Sequence, residues 1–574
     1  MPSSLRQIGI AAAIVGLAAV RAGGAADADA PAVLGAISGH GTRSVEVVVL
    51  DREGHAATGL GAADFRLTID GQPVPIVSFA GPEAVAAGSG GDGTTAPAVH
   101  STLAVFLDEA SLSATARDRA LVELAAEISR SPAPGCRLML VASRGRGIDL
   151  VLPPSAEPAA IAAGFAAARA RPARSTRGSE LRQLLSAIAS ASNPNDESDA
   201  EARLGSAQRD ATLAEVRQYM ARRQREALDA VAALDKLVDA LGGVPGRRAA
   251  LVVSGGLSSR PGQGPLGAWA NRFQSLFGTS SGQLPQLDTF DRGTDAALAT
   301  LAERANRAGV TLYGLGLADV AGGAELTSER VWSHAQQDAE RSNVGQALAR
   351  LATSTGGTAA ENPAELGGVL RRALVDGGAV YTLGWEAGSD DAATRQRLEI
   401  ATRDPTLVVR HRSSVPPREQ GAELRDRTLA ALLFGGGENA LDLKLQVESV
   451  ELPPIGKEAA KEASTVLQLV VTLPLAKLSL LPRGSLHEGG LHLLFGSLDA
   501  GGRLSDLQAV DAPIRIANDQ LLDSLGKLAS YRVRLTLRPV AQRLGVGVLD
   551  DVGRVAATTT LEWSPSGSES LVLQ

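Results

Sequence analysis

Short runs of apolar residues alternate with longer stretches of helical periodicity through the middle of the chain. Residues 103–107 are consecutive apolar residues bounded by polar sequence, and such a run predicts a strand buried on both faces. Residues 114–129 follow it with apolar side chains on one helical face. A similar apolar run recurs at 249–253, and residues 310–315 also read as a strand. Alternation of this kind is typical of parallel-sheet βα units, so the pattern predicts a doubly wound α/β domain over residues 101–415.

The N-terminal part of the chain shows a period of two instead. Residues 45–50, 65–69 and 74–79 read as strands, and Asp70-Gly71 is a hairpin signal between the second and the third. This alternation predicts a small N-terminal β module over residues 31–80.

The C-terminal part has the same period. Leu441, Leu443 and Leu445 are separated by single charged residues, and further alternating stretches continue to residue 563. The pattern predicts an antiparallel, β-sandwich-like domain over residues 431–574.

Composition marks the boundaries between these parts. Residues 81–100 are rich in Gly, Ala and Thr and predict a linker, and residues 416–430 are assigned as a second linker. Two stretches without a strand pattern, at about 171–240 and 257–293, are predicted to be insertions in the α/β domain.

The first 30 residues have the pattern of a secretory signal peptide. An apolar run at residues 8–20 follows Arg6, and small residues follow the run. The run is too short to span a bilayer as a mature helix and has the length of a signal-peptide core. We therefore expect an exported protein, periplasmic or secreted, with no membrane span in the mature chain.

Charge and composition exclude several other classes. The net charge is −7 and only 3% of the residues are aromatic, which argues against nucleic acid as a partner. Cys136 is the single cysteine, so intrachain disulfides cannot contribute to stability, and we interpret it as a small buried hydrophobe.

The most interesting polar residues follow the first predicted core strand. Asp108, Glu109, Ser111 and Ser113 come directly after it, and ligands bind at the carboxyl ends of strands in open α/β sheets. These side chains could hold a metal ion, contact a basic partner, or cap the helix that follows. The sequence leaves these alternatives open.

Three other patterns invite a catalytic interpretation and lack the context for it. His487 and His492 are five residues apart with two glycines between them, whereas a helical zinc-protease pair is four apart. Ser280 lies in a nucleophile-elbow pattern with no strand before it. Residues 143–147 lack the Lys-Ser/Thr ending of a phosphate-binding loop and are expected to form a tight turn.

The order of several short motifs resembles the von Willebrand factor A-type domain, and more narrowly the VWFA-related secreted proteins of Acidobacteria. The resemblance covers roughly residues 44–415. The residues that carry it are Asp51-Arg-Glu-Gly54, Gly59-Leu60, Asp64-Phe65, Asp70-Gly71, Leu241-Gly-Gly-Val-Pro-Gly-Arg247, Leu251-Val-Val-Ser-Gly255, Ala305-Asn306, Val310, Tyr313, Thr355-Gly-Gly357 and Tyr381-Thr-Leu-Gly-Trp385.

The resemblance implies a Rossmann-like fold and a cation site at the strand ends. Such domains often hold Mg²⁺ through an Asp-x-Ser-x-Ser loop and an acidic residue after the fourth strand, and they leave one position open for a partner's carboxylate. Here Ala110 and Leu112 occupy the two hydroxyl positions, and Ser254 follows the fourth strand. The resemblance therefore implies a degenerate site, with Asp108, Ser111 and Ser113 as its remaining candidate ligands for Mg²⁺ or Ca²⁺.

Together these observations predict an exported, non-enzymatic protein that binds a protein partner or mediates adhesion. Asp108, Glu109 and Ser254 are the predicted partner-binding residues, and no catalytic residue or cofactor is predicted. Two alternatives stay open: metal-dependent adhesion through a functioning cation site, and a hydrolase with an unrecognised active site that would use Ser280 or the His487 and His492 pair.

Overall fold

The computed structural model describes most of the chain between residues 42 and 565. The described ranges are 42–82, 101–130, 135–172, 174–191, 199–244, 246–273, 292–317, 332–360, 365–376, 380–386, 396–415, 421–451, 465–500 and 504–565. The predicted signal peptide, most of the predicted linker at 81–100, and Ser280 lie outside the described residues.

The chain divides into two compact units, one formed by Gly41–Arg418 and one that includes Glu419–Gln574. Both helices and sheets are abundant, which confirms the prediction of a mixed α/β protein. None of the helices in the described part of the chain is long and apolar enough to cross a membrane.

A six-stranded sheet forms the centre of the first unit. Its strands are β5 (Ser101–Leu107), β6 (Cys136–Arg144), β7 (Gly147–Ser155), β8 (Arg248–Ser254), β9 (Val310–Gly316) and β10 (Ala359–Ala360). Their order is β10-β9-β8-β5-β6-β7, and every pair except β6–β7 is parallel. The apolar run that predicts a buried strand lies in β5, which is central and buried from Thr102 to Leu107.

Helices follow most of these strands. They are α1 (Ala114–Arg130), α2 (Pro158–Ala170), α3 (Arg177–Ser190), α4 (Asp199–Gly242), α5 (Gln263–Arg272), α6 (Arg292–Ala308), α7 (His334–Ser354) and α8 (Leu366–Val375). Leu103 and Val105 of β5 share one hydrophobic core with Leu121 of α1 and Val369 of α8. A separate core joins α3, α4 and α5 through residues such as Leu185 and Trp269.

Two small four-stranded sheets complete the first unit. Their strands are β1 (Thr42–Leu50), β2 (Phe65–Ile69), β3 (Gln72–Val74), β4 (Ser78–Ala80), β11 (Val380–Glu386), β12 (Gln396–Thr402), β13 (Val408–His411) and β14 (Ser414–Val415). The orders are β13-β1-β11-β4 and β14-β12-β2-β3, and the two sheets share a core that includes Val47, Phe65 and Trp385.

This arrangement differs from the predicted division of the chain. The sequence assigns residues 31–80 to a separate module and places residues 380–415 in the α/β domain, whereas strands from the two stretches pair with each other. The physical reason is that three short strands cannot bury both faces of a sheet alone, so they pair with strands about 300 residues later.

The second unit consists of antiparallel sheets and one packed helix. Its elements are α9 (Ala422–Phe434), β15 (Lys444–Glu451), β16 (Thr465–Pro474), β17 (Leu481–Arg483), β18 (Leu486–Asp499), β19 (Gln508–Ala517), α10 (Leu521–Leu525), β20 (Leu528–Leu537), β21 (Gln542–Asp550) and β22 (Ala556–Trp563). The sheets run β15-β16-β20 and β17-β18-β21-β22, with β19 paired to β18. The predicted linker at 416–430 differs from the structure, because α9 begins at Ala422 and buries Leu424 and Leu429.

Candidate functional site

The ends of β5 and β8 bring Asp108 and Ser254 together. The two strands are parallel neighbours, and the amide of Asp108 donates a hydrogen bond to the carbonyl of Val253 at 3.0 Å. The Asp108 carboxylate is buried, and its Oδ2 accepts hydrogen bonds from the hydroxyls of Ser111 and Ser254, both at 2.6 Å. One carboxylate oxygen therefore joins the two loops at the carboxyl edge of the sheet.

The two serine hydroxyls are also used by backbone amides. Ser254 Oγ accepts hydrogen bonds from the amides of Gly256 and Leu257, both at 3.0 Å, and Ser111 Oγ accepts one from Gly255 at 3.0 Å. A hydroxyl has one donor hydrogen and two lone pairs. In Ser254 the hydrogen is donated to Asp108 and both lone pairs accept hydrogen bonds. The oxygen therefore cannot ligate a cation without losing an existing hydrogen bond.

The second carboxylate oxygen of Asp108 has a different environment. Oδ1 is buried and has no hydrogen-bond partner among the described residues. A carboxylate oxygen is a preferred ligand of Mg²⁺ and Ca²⁺, but these ions require about six or more oxygens. Oδ1 and the remaining lone pair of Ser111 are too few, so this donor set does not fit a tightly held cation. Within the described ranges, no group of three or more His, Cys, Asp or Glu side chains is placed to bind a metal.

Glu109 is buried beside Asp108 and forms an ion pair. Arg171 donates to its two carboxylate oxygens at 2.6 and 3.1 Å, and also donates to Asp149 at 2.6 Å. The hydrogen bond with Glu109 is the main interaction that raises the pKa of the Arg171 guanidinium above its usual value. Arg174 lies 3.8 Å from the same carboxylate, and the amide of Glu109 donates to Ser143 Oγ at 3.0 Å.

Ser113 does not join this network. Its Oγ accepts a hydrogen bond from the amide of Ala116 at 3.2 Å, in the first turn of α1. This is the hydrogen bond of a helix N-cap. Ser113 therefore caps α1, which is one of the three roles that the sequence leaves open beside metal binding and partner contact.

Arg177, the first residue of α3, also lies at the carboxyl edge of the sheet. Its Nη1 donates to the carbonyl of Gly255 at 2.6 Å, and its Nε lies 3.9 Å from Glu226 of α4. A Cβ atom at Gly256 would lie 2.5 Å from Arg177 Nη1 and 2.6 Å from the Cβ of Ser111. Glycine at position 256 is therefore needed for the close approach of the guanidinium to the Asp108 loop.

A second buried arginine extends this polar cluster. Arg223 of α4 is 1% exposed and donates to Glu180 and to Glu226, both at 2.8 Å. Burial raises the pKa of Glu226, and the neighbouring Arg223 and Arg177 partly oppose that rise. The arginine and glutamate side chains of this cluster belong to the predicted insertion at about 171–240. Arg177 connects them to the residues that follow β8.

These contacts change the expected role of the predicted partner-binding residues. Asp108 and Glu109 are each 2% exposed and Ser254 is fully buried, so the expectation of an accessible contact surface at these three side chains is not met. The reason is that Arg171 and Arg177, which sequence reasoning missed, bring the predicted insertion onto the edge. No periodic pattern in the sequence singles out these arginines.

The two candidate catalytic histidines do not converge. Both lie in β18, five residues apart, and side chains at an odd separation point to opposite faces of a strand. His492 contacts Asp511 on the neighbouring strand at 2.5 Å, and His487 contacts Asn518 at 2.9 Å. Residues 143–147 connect the antiparallel strands β6 and β7 in a tight turn.

Comparisons with known proteins give no family for this chain. No family model and no curated protein matches it. Among solved structures, a Northeast Structural Genomics Consortium target is 13% identical over 24% of this chain and 95% of its own, with a TM-score of 0.15. The β-glucuronidase of Bacteroides uniformis is 12% identical over 32% of this chain and 19% of its own, with a TM-score of 0.13.

A third solved structure is similar over a longer stretch. The pilus adhesin SpaC from Lactobacillus rhamnosus GG is 10% identical over 82% of this chain and 54% of its own, with a TM-score of 0.22. TM-scores of this size do not support a fold or a function, so the geometry of the site has to carry the interpretation.

Proposed function

We propose that this chain is an exported, non-enzymatic protein-interaction protein built on a von Willebrand factor A-like domain with a degenerate cation site. The observation that carries the proposal is the hydrogen bonding of Ser254, whose hydroxyl serves Asp108 and two backbone amides at once. At this position the resemblance implies an acidic cation ligand. An internal hydrogen-bond network in its place favours a rigid scaffold over a metal-dependent site.

The arrangement of the parallel sheet supports the same proposal. Polar side chains from β5 and β8 meet at the carboxyl edge, where α/β domains bind ligands. Because Asp108 and Glu109 are buried, the accessible residues around this edge are the better candidates for partner contact. Arg174 is one of them, since 40% of its side chain is exposed beside Glu109.

Thermal unfolding with and without divalent cations tests the degenerate site. We expect millimolar Mg²⁺ or Ca²⁺, at constant ionic strength, to change the Tm by less than about 1 °C, whereas a site filled at 100 times its Kd would add about 2.7 kcal/mol of stability. The control is Asp108→Asn, which removes the charge that a cation would need. A saturable rise in Tm that disappears in Asp108→Asn would overturn the proposal.

One observation favours metal-dependent adhesion as a second candidate. Asp108 Oδ1 is buried without a hydrogen-bond partner in the described part of the chain, and a cation with several water ligands would satisfy it. The same titration separates the two candidates, because only metal-dependent adhesion predicts the saturable rise.

Site-specific cross-linking tests the interaction itself. Replacing Arg174 with p-benzoylphenylalanine places a photoreactive group at the strand edge, and the matched control replaces the exposed Arg217 of α4. In the envelope fraction of the producing cell, we expect a discrete cross-linked protein from position 174 and none from position 217. Equal labelling at both positions, or none at 174, contradicts an interaction at this edge.

A further inference from the structure

Apart from the Asp108 network, a tyrosine, a carboxylate and an arginine form a hydrogen-bonded chain. Tyr313 of β9 donates a hydrogen bond to Asp376 Oδ2, and Arg410 of β13 donates to Asp376 Oδ1 at 2.5 Å. Burial raises the pKa of Tyr313, and Arg247 is the charged group that opposes this rise most strongly. Arg410 opposes it as well. Strand pairing gives the geometric link between the two arginines: Arg410 lies opposite Val48 of β1, and Glu46, two residues earlier on the same face of β1, lies 3.7 Å from Arg247.

In the part of the chain that the structure describes, Arg247 and Arg410 have buried N–H donors without acceptors. Nε and Nη1 of Arg247, and the same two atoms of Arg410, are buried and have no hydrogen-bond partner among the described residues. A carboxylate oxygen of Glu46 lies 3.7 Å from Arg247 Nε, which is beyond hydrogen-bond distance. Arginine has five N–H donors and cannot lose its charge, so these groups require acceptors from outside the described residues.

The surroundings also contain more positive than negative charge. Three guanidinium groups, those of Arg247, Arg410 and Arg412, face the carboxylates of Asp376 and Glu46. Burial lowers the pKa of Arg412 to about 10; Glu46 opposes this fall, and Arg43 and Arg248 add to it. Burying a charge without a counter-charge is costly, so an anion at this place would supply both the missing charge and the missing acceptors.

We infer that Arg247 and Arg410 form a binding site for a small oxyanion, such as a sulfate, a phosphate or a carboxylate group. Planar guanidinium donors match the oxygen acceptors of these groups. The side chain of Glu46 is 44% exposed, which places the Arg247 end of the cluster near the surface. The site is independent of the proposed function, because it shares no residue with the Asp108 network.

Isothermal titration calorimetry of the full chain with sodium sulfate and with sodium acetate, at ionic strength fixed by sodium chloride, tests the site. We expect saturable binding of at least one of the two ions, weakened tenfold or more by Arg247→Gln and by Arg410→Gln. The matched control Arg217→Gln removes an exposed arginine of α4 and should bind like the wild type. Binding of sulfate alone indicates a tetrahedral oxyanion, and binding of acetate alone indicates a carboxylate group.

Two results overturn the inference: no saturable binding of either ion by the wild type, or unchanged affinity in Arg247→Gln. Where circular dichroism shows that a glutamine variant is unfolded, Arg247→Lys replaces it, because lysine keeps the charge and loses the planar donors. We expect this folded variant to bind sulfate and acetate more weakly than the wild type. Wild-type affinity in Arg247→Lys also contradicts the site.

Discussion

Ser254 joins Asp108 to the loop that follows β8. Its hydroxyl donates to Asp108 and accepts from the amides of Gly256 and Leu257 in a fully buried environment. Ser254→Ala leaves both amides buried without an acceptor, and each unsatisfied group costs about 1–3 kcal/mol. We expect the variant to lose about 2 kcal/mol or more of unfolding free energy, measured by urea denaturation.

The matched control for this change is Ser113→Ala. Ser113 is half-buried and supplies one N-cap hydrogen bond, a contact worth about 1 kcal/mol. A loss in Ser254→Ala no larger than that in Ser113→Ala would contradict the structural role of the strand-edge network.

At the scale of residues, the sequence predicts that Asp108 and Ser254 lie close together. It does not predict the ion pair that buries Glu109. Asp108 and Ser254 follow adjacent buried strands, so their proximity follows from the alternation of strands and helices. The burial of Glu109 does not, because it depends on Arg171, which lies 62 residues later in a stretch that has no strand pattern. Long-range charge pairing leaves no periodic signal in a single sequence.

At the scale of elements, the period-two pattern of the sequence predicts where strands lie. It does not predict which strands pair with each other. Strand β2 alternates as predicted, whereas β1 is buried at every residue from Val47 to Leu50. Neither pattern shows whether a strand pairs with its neighbour or with β11 and β12. Register and pairing depend on a shared core, here one that includes Tyr381 and Trp385. The sequence pattern therefore predicts the individual strands but not the pairing of β1 and β2 with β11 and β12.

Helix α9 depends on a glycine stripe across two strands of the second unit. A Cβ at Gly545 of β21 would lie 2.6 Å from Leu432 Cγ, and one at Gly496, its partner on β18, would lie 2.8 Å from Leu432 Cδ1. The helix thus packs against bare backbone. Because overpacking a filled site costs about 1–3 kcal/mol, we expect Gly545→Ala to lower the free energy of unfolding of the second unit by that amount.

Calorimetric unfolding of the full chain measures this effect, with Gly526→Ala as the control. Gly526 has a φ of −79°, and a Cβ atom at this position would have no neighbouring atom within 4 Å among the described residues, so alanine fits there without strain. Equal unfolding curves for the two variants would show that the glycine stripe is not needed for the packing of α9.

At the scale of the whole molecule, the first unit is a β-structure with an α/β sheet inserted between its strands. Residues 101–375 lie between β4 and β11, and polar contacts tie the two parts together. Asn306 donates to Ser414 at 3.3 Å, Arg412 donates to the Asn306 carbonyl at 3.0 Å, and the amide of Ser413 donates to the Ser354 carbonyl at 3.0 Å. Stability of the unit therefore depends on buried polar groups, several of which titrate.

Two of these groups act on stability in opposite directions as the pH changes. Burial raises the pKa of Glu340 above 4.5, so the stability it contributes is full below pH 4.5 and is lost as the pH rises through the folded-state value. Burial lowers the pKa of His411 below 6.5, so its contribution is full above pH 6.5 and is lost as the pH falls. The wild-type profile alone cannot separate the two effects.

Glu340→Gln isolates the glutamate. Glu340 Oε2 accepts a hydrogen bond from the amide of Gly264 at 3.1 Å. Glutamine keeps an oxygen that can accept this hydrogen bond, and its side chain cannot ionise. Arg177 partly opposes the rise in the pKa of Glu340 that burial causes. The part that is not opposed destabilises the folded wild type only when Glu340 is charged. We expect the free energy of unfolding of the variant, relative to wild type, to increase as the pH rises from 4.5 towards about 7.5 in parallel urea titrations. A difference that is constant with pH would mean that Glu340 ionises in the folded protein as readily as in the unfolded chain.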